Sequence, residues 1–247
     1  MPHEWIVPHW NAPASVGAAV STRLGPGMSE APYDRLNLGL RSGDEPSTVL
    51  ANRSALRDAL ALPSDPLWLR QVHGTAVAEG DGGGFEPEAD AAVARGPGRV
   101  LAILTADCLP ALFVSADGQT IGAAHAGWRG LAAGVLERTV EQMGGTDIQA
   151  WLGPAIGQAS FEVGEEVRAA FVDTDARASS AFVANRPGHW LCDIYQLARL
   201  RLSSVGVRHV SGGGFDTRTD DRLYSYRRDG AKSGRFASLI WTNPSSR

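Results

Sequence analysis

Cysteine is scarce in this chain, with two in 247 residues. Cys108 and Cys192 cannot build a disulfide framework, and no CxxC pair offers a tandem zinc module. Basic charge is also short: 23 Lys and Arg stand against 27 Asp and Glu, for a net charge of -4. Broad nucleic-acid or anionic-membrane binding needs the opposite balance, although a local basic pocket for one small anion stays open. No apolar run approaches the roughly 20 residues of a membrane-spanning helix. The opening "MPHEWIVPHWNAPASVGAAV" has no basic stretch followed by an apolar one, so no secretory leader is expected. These absences point to a cytoplasmic protein with reduced thiols.

What is present is ordinary for a globular chain: 43% hydrophobic and 20% charged residues, at a length near the upper edge of one domain. No internal repeat or long linker divides it. Loops are expected at "EGDGGGFEPEAD" (79–90), "NRPGH" (185–189) and "SGGGFDTRTDD" (211–221). Four segments read as helices. "STVLANRSALRDALAL" has Ser47 as its candidate N-cap. "GLAAGVLERTVEQMGG" carries Leu131, Val135, Leu136, Val140 and Met143 on one stripe and ends at Gly144. "EVGEEVRAAFV" is shorter. "DIYQLARLRLSSVG" runs from a cap at Asp193 to Gly206.

Between the helices lie strand-like runs: "LWLRQV", "RVLAILT", "PALFVS", "QTIGAAHA", "QAWLG", "VRHVS" and "FASLIW". Strands and helices do not alternate strictly, and several strand runs are adjacent. That order favours an α+β fold with antiparallel or mixed pairing over a doubly wound sheet.

Three side chains that bear chemistry end strand-like runs and enter turns beside Gly or Ala: His73 in "QVHG", Cys108 in "TADC" and His125 in "AHAG". From the residues alone Cys108 has three readings. It is a buried inert thiol, the nucleophile of a Cys–His pair with His125 or His73 as base, or a metal ligand. Two imidazoles and a thiolate with no evident fourth ligand suit a catalytic zinc site with one open position. Their spacing matches no compact zinc motif. His3, His9, His189 and His209 read as surface or structural, and Cys192 as core. Arg53, Arg129 and the Arg227-Arg228-Asp229 run are solvated residues or the guanidinium partners of a phosphate or carboxylate. "WRG" before a helix would add a helix N-terminus to such a site. Asp107 is either a turn residue or an acid/base group.

The motifs "PYDRLNLGLRSGD", "WLRQVHG", "TADCLPALF", "AAHAGWRGL", "WLGPAIG", "FEVGEEV", "DIYQLARLRL" and "YSYRRDG" occur together and in order. In this the chain resembles the bacterial laccase-domain proteins, a polyphenol oxidase-like family also described as purine nucleoside phosphorylases or peptidoglycan editing factors. The resemblance runs from about residue 5 to residue 241. It implies a single-domain four-layer αββα sandwich spanning 1–247, and a zinc ion held by His73, Cys108 and His125. Copper is the less favoured metal, since six histidines and two cysteines are too few for a multicopper oxidase. One departure stands out: where relatives commonly carry Cys-Thr before the "SYRR" motif, this chain has Asp216-Thr217.

The resemblance further implies phosphorolysis of adenosine, inosine and S-methyl-5′-thioadenosine, with adenosine deaminase activity in the same site. Cys108 and Asp107 would be catalytic, Asp107 moving the proton. Arg53, Arg129 and Arg228 would bind phosphate. The alternatives are an amidase that removes L-Ser from UDP-MurNAc-L-Ser, a polyphenol oxidase, and a non-catalytic metal-binding protein. The expected partner is a small-molecule substrate, with no nucleic acid and no membrane, and monomer and homodimer are both left open.

Overall fold

A computed structural model describes residues 5–80, 86–145 and 147–244. Its first half contains β1 (Trp5–Ile6), β2 (Val16–Ser21), α1 (Pro46–Ala59), β3 (Val77–Glu79), β4 (Ala91–Arg95), β5 (Val100–Thr105), β6 (Leu109–Val114) and β7 (Thr120–Ala126). Then follow α2 (Trp128–Ala133), α3 (Val135–Met143), β8 (Gln149–Leu152), β9 (Glu162–Gly164), α4 (Glu165–Val172), β10 (Phe182–Arg186) and β11 (His189–Cys192). The chain closes with α5 (Ile194–Ser204), β12 (His209–Gly212), α6 (Tyr226–Asp229) and β13 (Phe236–Thr242).

Two large sheets carry the fold, ordered β1-β2-β13-β5 and β12-β8-β6-β7-β4-β3, and a small sheet is ordered β10-β11-β9. Within the six-stranded sheet the outer pairs β3–β4 and β12–β8 are parallel and the inner pairs antiparallel. The fold is therefore mixed α+β, as the strand order led one to expect.

Alternation along the strands sets the layers. Leu101 and Ile103 of β5, with Phe236 and Ile240 of β13, face Leu112, Val114, Ile121 and Ala123 of the other sheet in one core. The opposite faces of β5 and β13 (Val100, Ala102, Ala237, Leu239) pack on Leu56 of α1. The opposite faces of β6 and β7 (Ala111, Phe113, Ala124) pack on α2–α5 through Leu131, Leu136, Phe171 and Leu197. Helix, sheet, sheet and helices make four layers. Cys192 lies in the helix-side core, as expected.

Several expectations are corrected locally. Helix α1 starts two residues earlier than its Ser47 cap implied, with Glu45 as cap and Pro46 at the first helical position, where a fixed φ and a missing N–H cost nothing. The long stripe after "GW" is two helices, because Gly134 adopts φ +97 and breaks the backbone between α2 and α3; Gly takes that conformation without Cβ strain. Helix α5 follows expectation, with the Asp193 carboxylate accepting the Gln196 N–H.

"LWLRQV" forms no strand. It runs along the free edge of β5, where only Leu67 bridges Leu101. The Gln71 side chain then substitutes for backbone, donating to Leu104 O at 2.7 Å and accepting from Leu104 N at 2.9 Å. "RVLAILT" and "PALFVS", adjacent in sequence, belong to different sheets. Strands β2 and β4 escaped notice because "VGAAVS" and "AAVAR" are rich in Ala, poor in the β-branched signal. Of the loop expected at 185–189 only Pro187 and Gly188 form a turn; Asn185 and Arg186 end β10 and His189 begins β11. Part of the loop expected at 79–90, and His3, lie outside the described residues. No helix among the described residues is long and apolar enough to cross a membrane.

Candidate metal centre and its cleft

The β4–β7 register pairs Ala91 with Ala124, so Asp90 and His125 stand opposite each other one step further along. The His125 N–H donates to Asp90 O at 2.7 Å. Their side chains share the parity of Ala92 and Ala123, and so emerge between the two large sheets at the open end of the sandwich. There His125 Nδ1–H donates to Asp90 Oδ1 at 2.8 Å.

The same carboxylate, fully buried, accepts the N–H of Val72 (3.1 Å), His73 (2.8 Å) and Gly74 (2.6 Å). Asp90 thus fixes the ring of one imidazole and the backbone of another. His73 is held at φ +63, a conformation a non-glycine residue keeps only when its surroundings impose it. Burial works against the charged Asp90; the His125 bond and the backbone N–H groups outweigh it and hold its pKa below the usual value.

Cys108 comes from the link that carries the chain from β5 in one sheet to β6 in the other. Asp107 sits there at φ +94. Its carboxylate accepts Thr217 Oγ1–H at 2.5 Å and the Arg227 N–H at 2.6 Å, and its carbonyl accepts the Ile156 N–H at 2.9 Å. Both oxygens of Asp107 are thereby engaged in pinning the loop.

The donor atoms of His73, Cys108 and His125 all lie within 4.8 Å of one another. Cys108 Sγ is 3.8 Å from His73 Nε2, and the two imidazoles meet edge-on with centroids 4.7 Å apart. A Cβ on Gly127 would fall 2.8 Å from His73 Cδ2 and 3.1 Å from Cys108 Sγ, so only glycine leaves the three donors their positions. Burial pushes the Cys108 thiol up, but His125 and His73 overcome this and bring it down to about 6. Burial likewise opposes charge on His125, yet Cys108 and Asp90 raise it to about 9. Two nitrogens and a thiolate, backed by a carboxylate behind one imidazole, are a donor set of the kind that would hold a metal ion such as zinc.

The donor set opens on a cleft of about 610 Å³, within the range of small-molecule sites. Apolar side chains of Leu69, Ile156, Phe161 and Tyr226 line it together with Arg41, Arg129, Arg227 and Arg235. Arg129 stacks on the Trp128 ring at 4.4 Å. Arg235 is held below the ordinary arginine value by burial, partly offset by Cys108 and Asp107.

Of the expected phosphate-binding arginines, Arg129 lines this cleft and Arg53 and Arg228 do not. Arg53 is buried behind it, on the Trp68 ring at 4.1 Å and paired with Glu86 at 2.7 Å. Arg228 spends its guanidinium on Asp229 and on Leu223 O. The expected donors Cys108, His73 and His125 are brought together, with Asp107 beside them. His9 and His209 line a separate surface cavity, and His189 lies in the β10–β11 hairpin. The residues missed were Asp90, Arg41 and Arg235. In the "SYRR" run it is Arg227, named there with Arg228, that lines the cleft. Asp216 stands off the donor set, accepting from Gly157 N, Arg218 N and Ser160 Oγ.

Residues 17–243 match the family described as multi-copper polyphenol oxidoreductase laccase. A purine nucleoside phosphorylase of Pseudomonas aeruginosa is 53% identical over 241 residues, covering 96% of this chain and 98% of that one. The purine nucleoside phosphorylase YfiH of Escherichia coli is 52% identical over 240 residues, covering 96% and 98%. Among solved structures, a Neisseria meningitidis protein superimposes with a TM-score of 0.92 at 42% identity, over 98% of this chain and 100% of that one. YlmD of Geobacillus stearothermophilus does so with a TM-score of 0.90 at 29% identity, over 98% and 97%.

Proposed function

We propose that this chain, which belongs to the multi-copper polyphenol oxidoreductase laccase family, is a zinc-dependent purine nucleoside phosphorylase with adenosine deaminase activity. The observation that carries the reading is the His73–Cys108–His125 set opening on an arginine-lined cleft. Relatives more than half identical along nearly the whole chain bear the phosphorylase name.

His73, Cys108 and His125 are the residues that would hold the metal. A zinc ion there supplies Lewis acidity and draws the pKa of a water toward 7, the requirement of hydrolytic deamination. Zinc fits better than the copper of the family's description, because the described residues assemble one such donor group and a multicopper site needs several. Cys108, as a ligand, is no free nucleophile.

In phosphorolysis, phosphate attacks C1′ as the purine leaves, and positive charge develops on the sugar. The cleft's arginines hold the anionic co-substrate beside that carbon and balance its charge. Arg129, Arg227 and Arg235 take this part in place of Arg53 and Arg228. The apolar wall of Leu69, Ile156, Phe161 and Tyr226 suits a flat heteroaromatic base, with water kept from its faces. Asp107 acts by position: with both oxygens engaged, it holds the Cys108 loop against the segment bearing Arg227.

The test offers metal-loaded protein inosine with phosphate and, separately, UDP-MurNAc-L-Ser. Hypoxanthine and ribose 1-phosphate should form, and Cys108→Ala should abolish them. Consumption of the cell-wall precursor alone would replace this reading with the amidase one.

A further inference from the structure

Behind the main cleft lies a second cavity of about 600 Å³, and Leu40 and Arg41 line both. Its wall holds a three-member charge cluster. Glu86 accepts from Arg53 Nη1 through one oxygen at 2.7 Å and from Arg41 Nη1 through the other at 2.6 Å.

The two guanidiniums differ sharply in freedom. Arg53 is 9% exposed, lies over the Trp68 ring, and donates Nε–H to Leu38 O at 3.0 Å. Arg41 is 59% exposed, and among the described residues its one hydrogen bond goes to Glu86. Arg53 is thus fixed on one oxygen of Glu86 and stays there as a counter-charge, while Arg41 holds the other oxygen from a guanidinium that stands mostly in solvent. An ion pair that exposed contributes little, whereas a guanidinium fork on a tetrahedral oxyanion makes paired, charge-assisted bonds. Two other arginines of the cleft are partly spent on carbonyls, Arg235 on Ser233 and Gly234 and Arg227 on Glu162. An exposed fork with a single bond has donors left over.

We propose that Arg41 is a movable oxyanion clamp of the main cleft, resting on Glu86 and transferred to a phosphate that enters. Glu86, held by Arg53, is the positioning residue that sets how readily the clamp leaves. Naming the anion as phosphate rests on the function proposed above; the clamp itself needs only an oxyanion. The Arg53–Trp68 stack gives the dock its rigidity, which assigns Arg53 a part in anion binding without contact.

The experiment is calorimetric titration of inorganic phosphate, without nucleoside, into metal-loaded wild type, Arg41→Ala, Arg41→Lys and Glu86→Gln. Arg41→Ala should weaken binding about tenfold, the scale of one charge-assisted pair, and Arg41→Lys should recover part of the loss. Glu86→Gln should bind several-fold tighter, its clamp no longer held back. If Glu86→Gln fails to fold, Arg41→Ala carries the test alone, since it leaves the Arg53–Glu86 pair whole. Unchanged affinity in Arg41→Ala, weaker binding in a folded Glu86→Gln, or no phosphate binding by wild type overturns the clamp. In turnover, Arg41→Ala should raise KM for phosphate more than it lowers kcat, and a loss confined to kcat contradicts it. Phosphate binding that depends on Arg41 in a protein that does not cleave inosine would sink the phosphorylase reading and leave the clamp standing.

Discussion

At the scale of residues, the Cys108 thiol meets two opposed influences, burial and its imidazole neighbours, and the imidazoles prevail. A thiol so lowered is a thiolate at neutral pH, while raised His125 is its protonated partner below about 9. In metal-free protein, alkylation of Cys108 by iodoacetamide should rise with pH through a midpoint near 6. In His125→Asn that midpoint should move up toward an ordinary thiol, and a wild-type midpoint near 9 would refute the pairing. Cys192 does not interfere, because burial pushes its thiol up. Asp90 holds the His125 ring from behind. Asp90→Asn should lower zinc affinity about 10–100-fold, the usual cost of losing a carboxylate behind a metal-bound imidazole, as read by competition with a chelator; unchanged affinity would contradict its role. The three donors were legible because each sits in its own short motif at a strand end. Asp90 was not, because its meeting with His125 depends on a β4–β7 register that spacing does not reveal. Nor does sequence tell which of Arg227 and Arg228 turns inward.

At the scale of elements, single residues decide where regular structure stops and the site begins. Gly127 ends β7 and caps α2 against two donors. Gly127→Ala should leave a folded protein by circular dichroism but reduce zinc uptake sharply, because the new methyl displaces His73 or Cys108; full zinc content in the variant would refute the fit. Gln71 closes the β5 edge with two hydrogen bonds to Leu104. Gln71→Ala should cost about 1–3 kcal/mol in denaturant unfolding, two bonds at their usual net worth, and no loss would show water serving equally well. This edge also explains a misread element. "LWLRQV" has a strand's composition, but its last backbone pairing is replaced by a side chain. The α2–α3 break was hidden for a related reason: the apolar stripe continues across Gly134, and only the left-handed backbone there separates the helices.

At the scale of the whole molecule, the four layers put the donors where they can meet. The inter-sheet core ends at one open edge, and the β5–β6 link, the end of β7 and the "QVHG" turn converge there from both sheets. The α+β class was readable from the order of strand and helix signals, since class needs only local periodicity. The assignment of β5 and β6 to different sheets was not, because partners are chosen by cores formed far apart in sequence. The packed sheets give the cleft rigid walls, and its cations come from four separate parts of the chain at 41, 129, 227 and 235. Zinc-dependent phosphorolysis in this cleft is tested by a chelation and reconstitution series. Zinc content and hypoxanthine release from inosine with phosphate are measured on the same samples. Release should fall in proportion as zinc is removed and return as it is restored; release that persists in zinc-free protein would rule out a zinc-dependent phosphorylase.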